Sequence, residues 1–112
     1  MKNLKIPYLL DFYGNMFSEK QREILEMYYQ EDMSLSEIAA VTDMTRQGVY
    51  DNIKRGEKEI LSLENKLNLM DRFFEISSFL DNIASRLSPE KMLTKEDYNK
   101  IISDINSIKA KI

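Results

Sequence analysis

Apolar residues in this chain recur three and four positions apart, and apolar–polar alternation of β-branched residues is absent, so the pattern predicts helices throughout. The first runs from about Pro7 to Asn15, with Leu9, Leu10, Tyr13 and Phe17 on one apolar side. Proline suits a first turn, where its missing N–H has no helical partner in any case, and Gly14 and Asn15 are stop signals. "SEKQ" starts the second helix: Ser18 caps the amide of Gln21 and Gln21 reaches back, the reciprocal pairing of a capping box. Ile24, Leu25, Tyr28 and Tyr29 form its buried stripe, and it ends near Gln30. "SLSE" starts a third, short helix with a second box, Ser34 with Glu37; Leu35, Ile38 and Ala39 face inward, and it stops near Val41 or Thr42. Thr45 caps the fourth. With no proline before Pro89, that helix can run some forty residues, about 60 Å at the usual rise. Gly56 is its weakest interior point.

Two apolar seams lie along this stretch. Val49, Ile53, Gly56, Ile60, Leu63, Leu67, Met70 and Phe74 form one; Leu69, Phe73, Ile76, Leu80, Ile83 and Leu87 form the other, displaced by one residue. The buried face therefore rotates by roughly 100° near Leu69–Phe74, and one neighbour cannot serve the whole length. The first half packs on the N-terminal helices and the second on something else. This divides the chain into an N-terminal helical domain over 1–65 and a C-terminal extension over 66–112. Within the extension, Ser88 caps and Pro89 sits at a first turn. Thr94 caps a last helix with Glu96 and Asp97 near its positive end, and Tyr98, Ile101, Ile105, Ile108 and Ile112 step by three and four. That helix can lie against the second seam as a hairpin within one chain, or the seams can build a homodimer, which seams this regular favour.

Composition narrows the chemistry. With 43 % hydrophobic and 31 % charged residues, the 112-residue chain reads as a soluble globular protein with a core of its own. It has no cysteine and no histidine, which excludes disulfides, Cys/His zinc sites and histidine acid–base catalysis. Its three glycines, Gly14, Gly48 and Gly56, are too scattered for a phosphate-cradling loop. No constellation supports an enzyme, and none implies a cofactor or a metal. The apolar runs are too short to span a membrane. "MKNLKIPYLLDFYG" is basic and then apolar like a signal peptide, but Pro7 and Asp11 interrupt it and no small-residue cleavage site follows. The chain is expected in the cytoplasm. The aromatic residues Phe12, Tyr13, Phe17, Tyr28 and Tyr29 and the seven methionines read as core. A net charge of −3 argues against a coat-like nucleic-acid binder, yet a small reading head needs only a few well-placed cations.

"SLSEIAAVTDM" followed by "TRQGVYDNIKR" has the form of a helix-turn-helix: a short capped helix, a tight turn and a second capped helix. Ala39 is small where the two helices cross, Ile38 and Val49 can pack across the turn, and Asp43 occupies the position where glycine would supply positive φ. Aspartate tolerates that region better than most residues. Residues 18–58 resemble the C-terminal DNA-binding region of bacterial sigma factors, in which a helix of the "KQREIL" type precedes the helix-turn-helix. The resemblance to the small YlxM-type proteins of bacteria is closer. "DFYGNMFSEKQREILEMYYQEDMSLSEIA", "RQGVYDNIKR" and the helical tail carry it, from about Leu10 to the end. The chain departs from that family's pattern at Asp43, where glycine is usual, and at Gly48, where alanine is usual. The resemblance implies an all-α fold, a sigma region 4-like helix-turn-helix bundle with long C-terminal helices. It implies a DNA-binding protein without enzymatic activity, connected through its gene neighbourhood with the signal recognition particle pathway.

If Val49 and Ile53 face inward, Gln47, Asp51, Lys54 and Lys58 point away from the core, flanked by Tyr50 and Arg55, with Arg46 at the margin. Gln47 is suited to adenine, and Arg46 or Lys54 to guanine; Tyr50 is suited to a thymine methyl or a phosphate. Lys54, Arg55 and Lys58 are suited to phosphate, as are Ser34 and Ser36 at the start of the preceding helix. With Thr45 these residues are the candidate contacts to double-stranded DNA. A competing reading stands beside this one. From Thr45 to Ile60 four cations face three anions, a weak positive field, and Asp51 can pair with Lys54 and Arg55 as on any surface helix. Tyr50 then serves the fold, half-buried against the first helix. On that reading the chain is a protein-interaction module whose partner is a signal recognition particle component, without DNA binding.

Overall fold

Four helices begin where the sequence sets a hydroxyl before an apolar period. In the computed structural model, which describes residues 2–112, Ser18, Ser34, Thr45 and Thr94 each accept the N–H of the residue three positions on. Such a cap satisfies one of the donors that a helix start leaves without a partner. The elements are α1 (Ile6–Tyr13), α2 (Glu19–Tyr29), α3 (Leu35–Thr42), α4 (Arg46–Leu67), α5 (Leu69–Arg86) and α6 (Lys95–Lys111). A 3₁₀ turn over Gly14–Met16 follows α1. The fold is all-α. The boxes at Ser34–Glu37 and Thr94–Asp97 are reciprocal. At Ser18 only the forward half of the expected box is formed: Gln21 gives its N–H but the return contact is not made.

The chain forms two units, Met1–Met70 and Asp71–Ile112. In the first, α4 is the hub against which α1, α2 and α3 pack. Ile6, Leu9, Tyr13, Ile24, Leu25, Ile38, Val49 and Ile60 are closed to solvent there, with Ile53 nearly so. Each such side chain contributes about 1.5–3 kcal/mol by leaving water. Gly56 faces Leu25 so closely that a Cβ there would lie 2.9 Å from the leucine's Cδ1. The glycine that weakens α4 as a helix is what lets α2 and α4 cross. Of the methionines among the described residues, only Met70 is buried, and Met16 and Met92 are exposed; Met1 lies outside the described residues. Among these residues no helix is long and apolar enough to cross a membrane.

The long fourth helix of the sequence reading is broken. Asn68 adopts the left-handed conformation (φ 53°, ψ 30°), ending α4, and α5 starts at the next residue. The Tyr13 hydroxyl donates to Glu64 Oε1 (2.5 Å) and accepts the N–H of Leu69 (3.2 Å), while the same carboxylate oxygen accepts the N–H of Met70 (3.0 Å). Two side chains 51 positions apart thus cap the start of α5. The seam shift marks the right neighbourhood, but it comes from a break and not from a continuous helix presenting two faces.

The second unit holds the remainder of α5 and all of α6. Glu75, near the start of α5, pairs with Lys111 at the end of α6, so the two helices run antiparallel. Ile76, Phe79 and Ile83 of α5 and Ile101 and Ile108 of α6 are half-buried, and α6 has no buried residue. The expected first turn at Ser88–Pro89 does not open a helix. Ser88 accepts the N–H groups of Glu90 (3.3 Å, side chain) and Lys91 (3.2 Å, carbonyl) in a single turn.

Candidate nucleic-acid interface

A tight turn needs one residue of positive φ, and Asp43 supplies it (φ 58°, ψ 29°). The N–H groups of Asp43 and Met44 both return to the Ala39 carbonyl, closing the end of α3. The Thr42 hydroxyl donates to the Ile38 carbonyl one turn back (2.7 Å). Thr45 then caps α4 through the N–H of Gly48 (3.0 Å). Ile38 and Val49, both closed to solvent, lock the two helices to the core. This is a helix-turn-helix, with α3 first and α4 second.

The outward face of α4 matches the 100° reading. Arg46, Gln47, Tyr50, Asp51, Lys54, Arg55 and Lys58 are all exposed, as are Thr45, Ser34 and Ser36. Asp51 does not take up Lys54 or Arg55 but accepts from the Gln47 amide (3.0 Å). Lys54 lies between Glu57 (3.5 Å) and the Tyr50 ring (5.6 Å to its centre). Ion pairs this open to water are worth about 0–1 kcal/mol, so Lys54 leaves its place at little cost. Glu57 has a second tie, accepting the Tyr29 hydroxyl from α2. Burial first, then that hydrogen bond and the charge of Glu57, hold the Tyr29 phenol far above its usual pKa, so it remains a donor.

Two expectations need correction here. Tyr50 is not half-buried against the first helix; it is 43 % exposed and stands on the open face. Ser34 is occupied: its hydroxyl accepts the Glu37 N–H and its own N–H donates to Glu37 Oε1, both at 3.1 Å. Its backbone is thus committed to the cap and not open to an anion. The same pairing, the Ser34 N–H first and its hydroxyl second, lowers the Glu37 pKa.

Two features escape a residue-by-residue reading. Leu35, the first residue of α3, joins Arg46, Gln47 and Tyr50 around an open notch of about 480 Å³. Further along α4, Arg55, Lys58, Glu59, Ser62, Leu63 and Lys66 surround another open one of about 440 Å³. The basic stripe therefore extends two turns past Lys58, to Lys66. Continuing the helical period through Ser62 would have found it. Among the described residues no group of three carboxylate side chains is placed to hold a metal ion.

Comparison with known proteins agrees with this geometry. The family model described as UPF0122, "Putative helix-turn-helix protein, YlxM / p13 like", matches residues 1–101. A UPF0122 protein of Halalkalibacterium halodurans is 37 % identical over 107 residues, 96 % of each chain. One from Thermoanaerobacter sp. (strain X514) is 42 % identical over 111 residues, covering 92 % of this chain and 95 % of its own. One from Bacillus mycoides is 40 % identical over 95 residues, 85 % of this chain and 86 % of its own.

Proposed function

Because the chain belongs to the UPF0122 family of YlxM / p13-like helix-turn-helix proteins, we propose that it is a DNA-binding regulatory protein that lays α4 in the major groove of a duplex. One observation carries this reading. Behind a turn closed by Asp43, α4 presents Gln47, Lys54, Arg55 and Lys58 on a face the core does not use. The start of such a helix is where base edges are reached. Gln47 and Arg46 stand there for base contact; Lys54, Arg55, Lys58 and Lys66 follow for phosphates, which fix position without specifying sequence. Thr45, Tyr50 and Asp51 complete the face, and Ser36 stands beside it at the start of α3. Ser34 contributes its cap.

A homodimer joined through the C-terminal helices suits this function, since two copies then present two α4 helices to half-sites about one helical turn apart. The exposed Leu80, Leu87, Tyr98 and Ile102 of that unit support it. The connection to the signal recognition particle pathway rests on the family resemblance and is proposed as the setting of the regulation.

Fluorescence anisotropy of a labelled duplex, titrated at several salt concentrations, tests the reading. Binding should weaken log-linearly with salt as counterions return to the phosphates. Lys54→Ala should weaken binding to every duplex and reduce the salt slope by about one. A folded protein that binds no duplex even at about 50 mM salt would overturn it. The net charge of −3 and the presence of Asp51 on the outward face favour the second reading, an interaction module. On that reading the chain forms a complex with a signal recognition particle component at physiological salt and leaves DNA unshifted.

A further inference from the structure

From Arg46 to Lys58 the outward face of α4 is polar except at one place. Tyr50 stands 43 % exposed, and Leu35, only partly covered by the core, meets it across the notch between the starts of α3 and α4. Arg46 and Gln47 complete the rim. At about 480 Å³ the notch is many times one water's share of liquid volume, about 30 Å³. It is open to solvent. Resting on the reading of α4 as the groove helix, we propose that this notch receives the 5-methyl group of a thymine, with Leu35 and Tyr50 as specificity-determining residues and Gln47 reading the paired adenine.

Three observations converge on that occupant. The notch lies at the first turns of both helices, with the Arg46 guanidinium on its rim to meet the phosphates that border a groove. Among the base pairs, only those with thymine show a methyl in the major groove, and Leu35 and Tyr50 are the apolar surfaces of the notch that such a methyl can touch. The adenine of the same pair offers N6–H and N7, which call for an amide that both accepts and donates. Asp51 occupies one N–H of the Gln47 amide and leaves a second N–H and the carbonyl oxygen for the base. Asp51 on this face thus positions Gln47. An apolar side chain of a protein partner would need neither Arg46 nor the amide.

The full-length protein is used to select duplexes from a random pool, and each thymine of a selected duplex is then replaced singly by deoxyuridine, which pairs identically but lacks the methyl. At one position the affinity should fall about fourfold, the factor expected for one buried methylene-sized group. The other positions should change little. That one loss should vanish in Tyr50→Ala, whose exposed position leaves the fold intact, and shrink in Leu35→Ala. The salt slope should be unchanged throughout. Selected duplexes without a uridine-sensitive position, or a sensitivity that persists in both variants, would overturn the notch as a methyl receptor while leaving DNA binding intact. Failure to enrich any duplex would overturn both.

Discussion

The two units are built from helices of similar length and similar apolar period, yet only one of them encloses anything. In Met1–Met70, nine large side chains from four helices are sealed from water. In Asp71–Ile112, two long antiparallel helices cover each other only by halves, and Leu80 remains 52 % exposed. A regular seam is therefore not a core. A seam on α4 meets three neighbours and closes, whereas a seam on α5 meets one neighbour and keeps an open side. Two isolated helices bury little, and most helical stability in proteins comes from packing. The first unit carries the rigidity that a reading helix requires. The second carries an apolar surface that suits assembly.

The largest effect should separate the units directly. Ile53→Ala removes a side chain from the closed core and should cost about 2–5 kcal/mol, lowering the denaturation midpoint at unchanged slope. Leu80→Ala, on the open face, should cost well under about 1 kcal/mol when measured in dilute monomer. An equal cost for both would mean that the second unit is as closed in solution as the first. A Leu80→Ala cost that grows with protein concentration would instead measure the proposed dimer.

A smaller effect is expected at the junction. Tyr13→Phe keeps the buried ring but takes a donor from Glu64 and an acceptor from the N–H of Leu69. Glu64 keeps the N–H of Met70, but losing the acceptor of the Leu69 N–H costs about 1–3 kcal/mol. Tyr13, Glu64, Leu69 and Met70 lie in the first unit, so urea unfolding should register the loss, and amide exchange should quicken first at Leu69 and Met70. Exchange unchanged at those two amides would show that Asn68 ends α4 without help from Tyr13.

What the sequence could and could not foretell follows the reach of each interaction. The caps at Ser18, Ser34, Thr45 and Thr94 are legible because a hydroxyl finds its N–H three residues on. Asp43 is legible as the turn residue for the same local reason, and helical period alone assigns the outward face of α4. Asn68 is not. Asparagine in the left-handed region is common enough to be unremarked, and the groups that complete this break, Tyr13 and Glu64, come together only in the folded bundle. The notch is hidden for a related reason. Leu35 reads as an inward residue of a short helix, and only the crossing of α3 over α4 brings its exposed part beside Tyr50.

The smallest expected effect compares two capping boxes of the same design. In each, the N–H of the cap residue first, and its hydroxyl second, hold an acidic side chain below its usual pKa: Ser34 for Glu37, and Thr94, with Lys91 and Arg86 adding charge, for Asp97. A carboxylate depressed in the folded state adds stability above its unfolded pKa, and that contribution is lost as pH falls through the folded value. Both boxes should therefore hold through the upper carboxylate range and open only below it, with carboxyl carbon shifts titrating late at both residues. Their consequences should differ. Behind its cap α3 has Ile38, closed to solvent, whereas α6 has no buried residue. On acidification the backbone shifts of the first turn of α6 should move toward coil while those of α3 hold. Equal fraying at the two starts would mean that the cap, and not the packing behind it, sets the strength of a helix start in both units.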